Sequence, residues 1–268
     1  MQVSMAYVQQ FVTQLDTLDD KTQRIFKTQI EKLNLEERLR AGEADAFQQV
    51  VDLARSVVPA NSRMASALSA GYYDGIRVAS NVKSDYDAIS YDTVDDDELD
   101  AAYYAVAKDY ASGKATVPLY SLMGDTSSRF TRYASNETIR LNAVSDPARP
   151  KFAIVPSPSA CVFCLMRASN GYTYPSTANV ESHNHCKCQA VPVFGNSTIQ
   201  GYHPEEYADG YDEARKAFED GDYSQDMRER IDAARAKHEE AYKRGETKKK
   251  WDSTNAILMI WREQRGMK

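Results

Sequence analysis

Leu35 to Val58 read LEERLRAGEADAFQQVVDLARSVV, and this stretch decides the fold. Leu39, Phe47, Val50, Val51, Ala54, Val57 and Val58 recur near the helical period among Glu, Arg, Asp and Gln, so one face is apolar and the other solvated. Pro59 is expected to stop this helix, because proline lacks the N–H and crowds the preceding turn. Asn61 and Ser62 then offer an N-cap pair for a further helix, Met64 to Ala79, built on Ala with Tyr72, Tyr73 and Ile76. Upstream, Met5, Val8, Phe11, Val12 and Leu15 make one stripe, and Asp19 to Leu33 carries Ile25, Ile30 and Leu33. Downstream, Glu98 to Ser112 repeats the pattern around Tyr103, Tyr104, Val106 and Tyr110 and ends at Gly113. The acidic run Asp95 to Glu98 suits a solvated loop or the N-terminus of that helix. Between Pro118 and Pro147 another helix is expected, with Phe130, Tyr133, Ile139, Leu141 and Val144 as its apolar face. Residues 1–144 therefore read as a helical bundle.

The chain of 268 residues is long enough to bury a core without a metal or disulfide holding the whole fold. Apolar residues at 42% and charged residues at 27% are globular usage and exclude a disordered tail. The longest apolar run, Ala256 to Trp261, is far short of the roughly 20 residues that cross a bilayer. Met1 to Thr17 has neither the basic start nor the apolar stretch of a secretory signal, so synthesis and residence inside the cell are expected. A net charge of −6 disfavours general nucleic-acid binding, which rests on neutralising phosphates. The charge is uneven, however. Residues 51–100 hold ten acids and four bases, and residues 101–200 hold five acids and nine bases, which leaves room for a local basic face.

From Pro147 the character changes. Pro147, Pro150, Pro156 and Pro158 lie close together, and Lys151 to Val155, Val191 to Phe194 and Thr198 to Ile199 are short strand candidates, the last two separated by a Gly195-Asn196 turn. All four cysteines and three of the four histidines lie between 161 and 203, which marks residues 145–203 as a compact α+β module. Residues 204–268 form a charged helical extension that ends in an apolar-aromatic helix, Trp251 to Trp261. Overall the fold class is mainly α with a small α+β, zinc-stabilised module.

Cys161 and Cys164 form a C-x-x-C, and His183-Asn184-His185-Cys186-Lys187-Cys188 supplies the second half of a ligand set. A C-x-x-C turn presents two thiolates to one metal at about 2.3 Å each. In an extended stretch Cys186 and Cys188 point to the same side. A four-thiolate site of Cys161, Cys164, Cys186 and Cys188 is the first choice, with His183 as the alternative fourth ligand. Other readings stay open. Two disulfides need an oxidising compartment, which the missing signal argues against. A redox C-x-x-C normally opens a helix after a strand in a βαβ unit, whereas Pro158 and Ser159 precede this one. Plain buried thiols are the third. If the metal is zinc, it is structural, because ligands are in surplus and Glu181 is the only carboxylate near them.

Cys161-Val-Phe-Cys164 through Gly171-Tyr-Thr-Tyr174, followed by His183-Asn-His-Cys186-Lys-Cys188 and Pro192, resembles the MuF-like minor head proteins of tailed phages, in the variety found in phages of actinobacteria. The resemblance extends upstream to Thr138-Ile139, Asp146-Pro147, Ile154-Val155-Pro156, and Ala65 to Arg77 with Tyr73-Asp74, roughly residues 60–195. This chain departs in having Asn170 and Lys187 where arginine is common, which removes no ligand. The resemblance implies a minor virion component in the head interior or at the portal vertex. Its partners would be the portal protein, the major capsid protein or packaged DNA, with no membrane involved.

Two other functions compete. His183-Asn184-His185 suggests a His-metal nuclease, but such a site takes its base and its metal ligand from separate elements, and adjacent residues alternate direction. A zinc-ribbon nucleic-acid binder is suggested by Lys151, Arg167 and Lys187 with Phe163, Tyr172 and Tyr174 as stacking rings. No catalytic constellation is convincing, so the expectation is a non-enzyme. The C-terminal helix either closes a core or docks on a partner through Ile257, Ile260 and Trp261.

Overall fold

The computed structural model describes residues 2–173, 187–247 and 249–267. Among these residues are nine helices and four short strands: β1 (Gln2–Val3), α1 (Met5–Lys32), α2 (Leu35–Arg40), α3 (Ala44–Ala79), α4 (Asp96–Ala111), α5 (Leu119–Ser145), β2 (Lys151–Val155), α6 (Val162–Ala168), β3 (Gln189–Val193), β4 (Thr198–Ile199), α7 (Pro204–Asp220), α8 (Gln225–Lys243) and α9 (Ser253–Gln264). The protein is thus mainly helical with a small sheet. It divides into two compact units. One comprises Met1–Ser157 with Tyr172–Tyr202, and the other Pro158–Gly171 with His203–Lys268.

In the first unit α1 to α5 enclose a core of Phe26, Ile30, Leu35, Leu39, Val50, Leu99, Tyr103, Leu119, Met123 and Phe130. The two N-terminal stripes are one helix, α1, because its buried positions Val8, Phe11, Leu15, Leu18, Phe26 and Ile30 keep a single period throughout. Pro59 does not end its helix. It lies inside α3, with Val50, Val51, Ala54 and Val58 before it and Ala65, Tyr72, Tyr73 and Ile76 after it on one buried face. Packing of that face against α4 and α5 outweighs the roughly 3 kcal/mol that an interior proline costs. Asn61 and Ser62 are accordingly core residues rather than caps, and the Asn61 amide donates to Thr131 Oγ1 at 2.8 Å. The acidic run is a helix N-terminus: Asp95 caps α4 by accepting from the Glu98 N–H at 2.8 Å.

Of the apolar face expected for α5, Phe130 and Ile139 are buried, but the rest of the buried face is different. Val144 is exposed and Tyr133 and Leu141 are half-buried, while Thr126, Ser127, Thr131, Ser135, Thr138 and Asn142 are buried. Small hydroxyl residues let α3 and α5 approach closely, and some of their polar atoms find partners in the seam, whereas the Ser62, Ser66, Ser127 and Thr138 hydroxyls have none among the described residues. Ser69 Oγ bonds both the Ala65 carbonyl at 2.7 Å and Ser135 Oγ at 2.9 Å. Strands β2 and β3 pair antiparallel, from Lys151 opposite Val193 to Val155 opposite Gln189, and pack on α5. Strand β4 pairs in parallel with β1 and not with β3 across the Gly195 turn.

In the second unit α9 packs against α6, α7 and α8. Ala256, Ile257, Ile260 and Trp261 are buried, with Trp261 edge-on to Tyr211 at 5.9 Å between ring centres. The C-terminal face therefore closes a core, and it is not the free docking face that its sequence also allowed. Gly210 on α7 makes room for the indole: a Cβ there would lie 2.8 Å from Trp261 Nε1. Alanine is the better helix former by about 1 kcal/mol. Even so, Gly210→Ala is expected to destabilise this unit by about 1–3 kcal/mol, because a buried indole has little room to retreat. Urea denaturation followed by tryptophan fluorescence tests this, and a stabilised variant would contradict it.

Candidate metal centre

Cys161 is the N-cap of α6, in extended backbone with φ −75 and ψ 165, and its carbonyl accepts the Leu165 N–H at 3.0 Å. Cys164 is the third residue of the helix, so the two thiols share its first turn on neighbouring positions. Cys161 is half-buried and Cys164 buried. The C-x-x-C does open a helix after a strand, since α6 follows β2, but β2 and β3 run antiparallel and form no βαβ unit. Val162, Leu165 and Ala168 bury the other side of α6 in the second unit.

Cys188 is buried and belongs to the first unit, immediately before β3. Its position is fixed from three sides. The Asn136 amide donates to the Cys188 carbonyl at 3.3 Å, and Asn136 Oδ1 accepts from the Ala190 N–H at 2.7 Å and the Gln189 amide at 3.0 Å. Gln189 also donates to Ser135 Oγ at 3.2 Å. Lys187 Nζ pairs with Asp16 at 3.2 Å. Asp16 in turn pairs with the fully buried Arg132, which also reaches Asp19 at 3.2 Å. Burial pushes the Asp19 carboxyl above its ordinary range, with Arg132 and the Ser128 hydroxyl pulling it partly back.

His183, His185 and Cys186 lie outside the described residues, as does Tyr174. Among the described residues no three His, Cys, Asp or Glu side chains are gathered as a metal-holding group. Thiols are nonetheless soft donors of the type that zinc takes; Cys161 and Cys164 share one helical turn of the second unit, and Cys188 precedes β3 in the first. The residues proposed for nucleic-acid stacking are partly committed elsewhere. The Tyr172 ring stands edge-on to Tyr202 at 5.4 Å and its hydroxyl accepts from the Ile199 N–H at 3.0 Å, while Lys187 is ion-paired.

A second constellation gathers residues that the sequence offers only through the resemblance, without a role. Asp146, wholly buried at the end of α5, accepts from Arg77 Nε at 2.9 Å, the Tyr73 hydroxyl at 3.1 Å and the Ala148 N–H at 2.8 Å. Burial, reinforced by the Asp146 carboxylate, drives the Tyr73 phenol strongly upward. Arg77 goes on to bind the backbone and hydroxyl oxygens of Ser84. Asn142 grips the same segment, donating to the Ile89 carbonyl at 2.8 Å and accepting from the Ile89 N–H at 2.9 Å and Tyr86 Oη at 2.7 Å. Burial, with Tyr91 and Asp146 adding to it, pushes the Tyr86 phenol up to about 12. These contacts hold residues 84–89, which have no secondary structure, against α3 and α5. Tyr73 and Asp146 thus belong to one buried network, and a buried arginine or aspartate has no signature in hydrophobic spacing.

A helical body bearing a short antiparallel sheet, with thiols placed by a helix start and a strand start, defines a mainly helical, cysteine-bearing class of protein. The chain belongs to the VG15 protein family, whose model matches residues 2–214. That membership points to a phage-encoded protein. No curated protein and no solved structure gives a significant match. No helix among the described residues is long and apolar enough to cross a membrane.

Proposed function

We propose that this phage protein is a minor structural component of the virion head, acting in head assembly at the portal or the capsid interior, and not an enzyme. One observation carries the reading: the C-x-x-C at Cys161 and Cys164 and the His183 to Cys188 motif, the marks of MuF-like minor head proteins, both lie within the residues matched to a phage family. Cys161, Cys164, Cys186 and Cys188, or His183 in place of one of the last two, hold a structural Zn2+. When bound, the metal would stabilise the segments that carry these residues and would not supply catalytic chemistry. The chain's own residues do the rest. Asn136 and Gln189 set the strand that follows Cys188, and Lys187 ties the same segment to α1. The portal protein and the major capsid protein are the partners, and packaged DNA is the neighbour in the head interior.

Mass spectrometry of purified particles and of emptied ghosts tests this. The protein is expected in full heads at low copy number. Its loss from ghosts would assign it to the material ejected with the genome. Absence from full particles, in cells that express it, would remove the proposal.

A further inference from the structure

A groove of about 430 Å³ lies in the second unit between α8 and the segment Lys250-Trp251. One wall is a single stripe of α8, Arg235, His238, Glu239, Tyr242 and Lys243, spaced at three and four residues. The other wall is the Trp251 ring, which meets His238 edge-on at 5.7 Å between ring centres. Two features set this groove apart. Trp251 Nε1 and His238 Nδ1 are both buried and have no hydrogen-bond partner among the described residues, although buried polar atoms are normally satisfied. Its cations are also uncommitted: Arg235, Lys243 and Lys250 make no ion pair among the described residues. Neighbouring Arg244 and Arg230, by contrast, are paired with Glu240 and Glu246, and with Asp226 and Glu263. In a chain of net charge −6, residues 235–251 carry seven bases against three acids.

We infer that this groove binds a nucleotide unit, a phosphate joined to a flat base, either free or as an exposed residue of a single strand. Cations at both walls suit the phosphate, and an indole and a phenol offer faces on which a base stacks. Glu239 stands on the same stripe and repels a second phosphate, which favours one nucleotide unit over a dense cluster of anions. This site is separate from the cysteines and does not depend on the virion role.

The test uses the full chain and a short fluorescent oligothymidylate in low salt, read by anisotropy. Saturable binding that weakens as salt rises is expected. Lys243 and Lys250 are exposed, so the Lys243→Ala, Lys250→Ala double variant should keep its melting temperature while losing affinity by about tenfold. Trp251→Ala should lose about tenfold or more, and Trp251→Phe, which keeps a stacking ring, should lose less. Displacement by thymidine monophosphate would identify the free nucleotide as a ligand, whereas its failure to displace a bound strand would identify the strand. No binding of either probe to the wild type, equal binding by the lysine double variant, or displacement by inorganic phosphate as effective as by the nucleotide would overturn the inference.

Discussion

Replacing Cys161 or Cys164 with serine is expected to strip the protein of zinc, from about one ion per chain by elemental analysis to none. Serine keeps the shape of the side chain and removes the thiolate, and three remaining ligands hold zinc far less well than four. Metal binding supplies folding energy on the order of 10 kcal/mol in small sites, so the loss should be the largest single effect available in this molecule. Amide exchange should show it locally, as lost protection at Cys188 to Val193 and at α6, while the core around Phe26 and Tyr103 stays protected. Single changes at His183 and His185 then decide whether either is a ligand. If both serine variants retain a full complement of zinc, the thiolate site is wrong.

The second large effect belongs to Asp146. Asp146→Ala leaves the Arg77 guanidinium buried without its carboxylate and the Tyr73 hydroxyl without an acceptor. Breaking a buried pair by removing one partner costs about 3–5 kcal/mol, more than deleting both. The double variant Asp146→Ala, Arg77→Met should therefore be more stable than Asp146→Ala alone. Denaturant unfolding measures both, and a single-variant loss below about 1 kcal/mol would mean that the network contributes little.

Helices are legible in the sequence wherever burial follows apolar spacing, as in the acidic start of α4 and in Val50 to Val58 of α3, but the expected single helix from Leu35 is broken into α2 and α3 at residues 41–43, where Gly42 takes a left-handed φ of 76. They are misread wherever tertiary contact overrides local preference. Pro59 and the Asn61-Ser62 pair look like a break because the chain alone cannot show that the residues on both sides of them are buried in one helix. On α5 the apolar residues Val144 and Leu141 look inward by type, yet beside Phe130 and Ile139 the buried side takes in hydroxyls, Asn142 and Arg132, and the last two reach partners more than fifty residues away in sequence. The candidate site is legible as ligand types and spacing. What holds Cys188 is not, because Asn136, Gln189 and Asp16 act through hydrogen bonds and charge, which leave no periodic trace.

The order in which the chain visits its two units bears on how it can be made. It leaves the first unit after Ser157, contributes α6 to the second, returns at Tyr172 to complete β3 and β4, and leaves again at His203. Strand β1, at the very start, finds its partner only at Thr198 and Ile199. On the ribosome, then, α1 to α5 emerge long before the strands that finish their unit, and α6 must wait for α7 and α9. A fragment ending at residue 202 would expose the apolar side of α6, Val162, Leu165 and Ala168, to solvent. Nascent or prematurely terminated chains of this protein are consequently predicted to be clients of holding chaperones until α9 has been released.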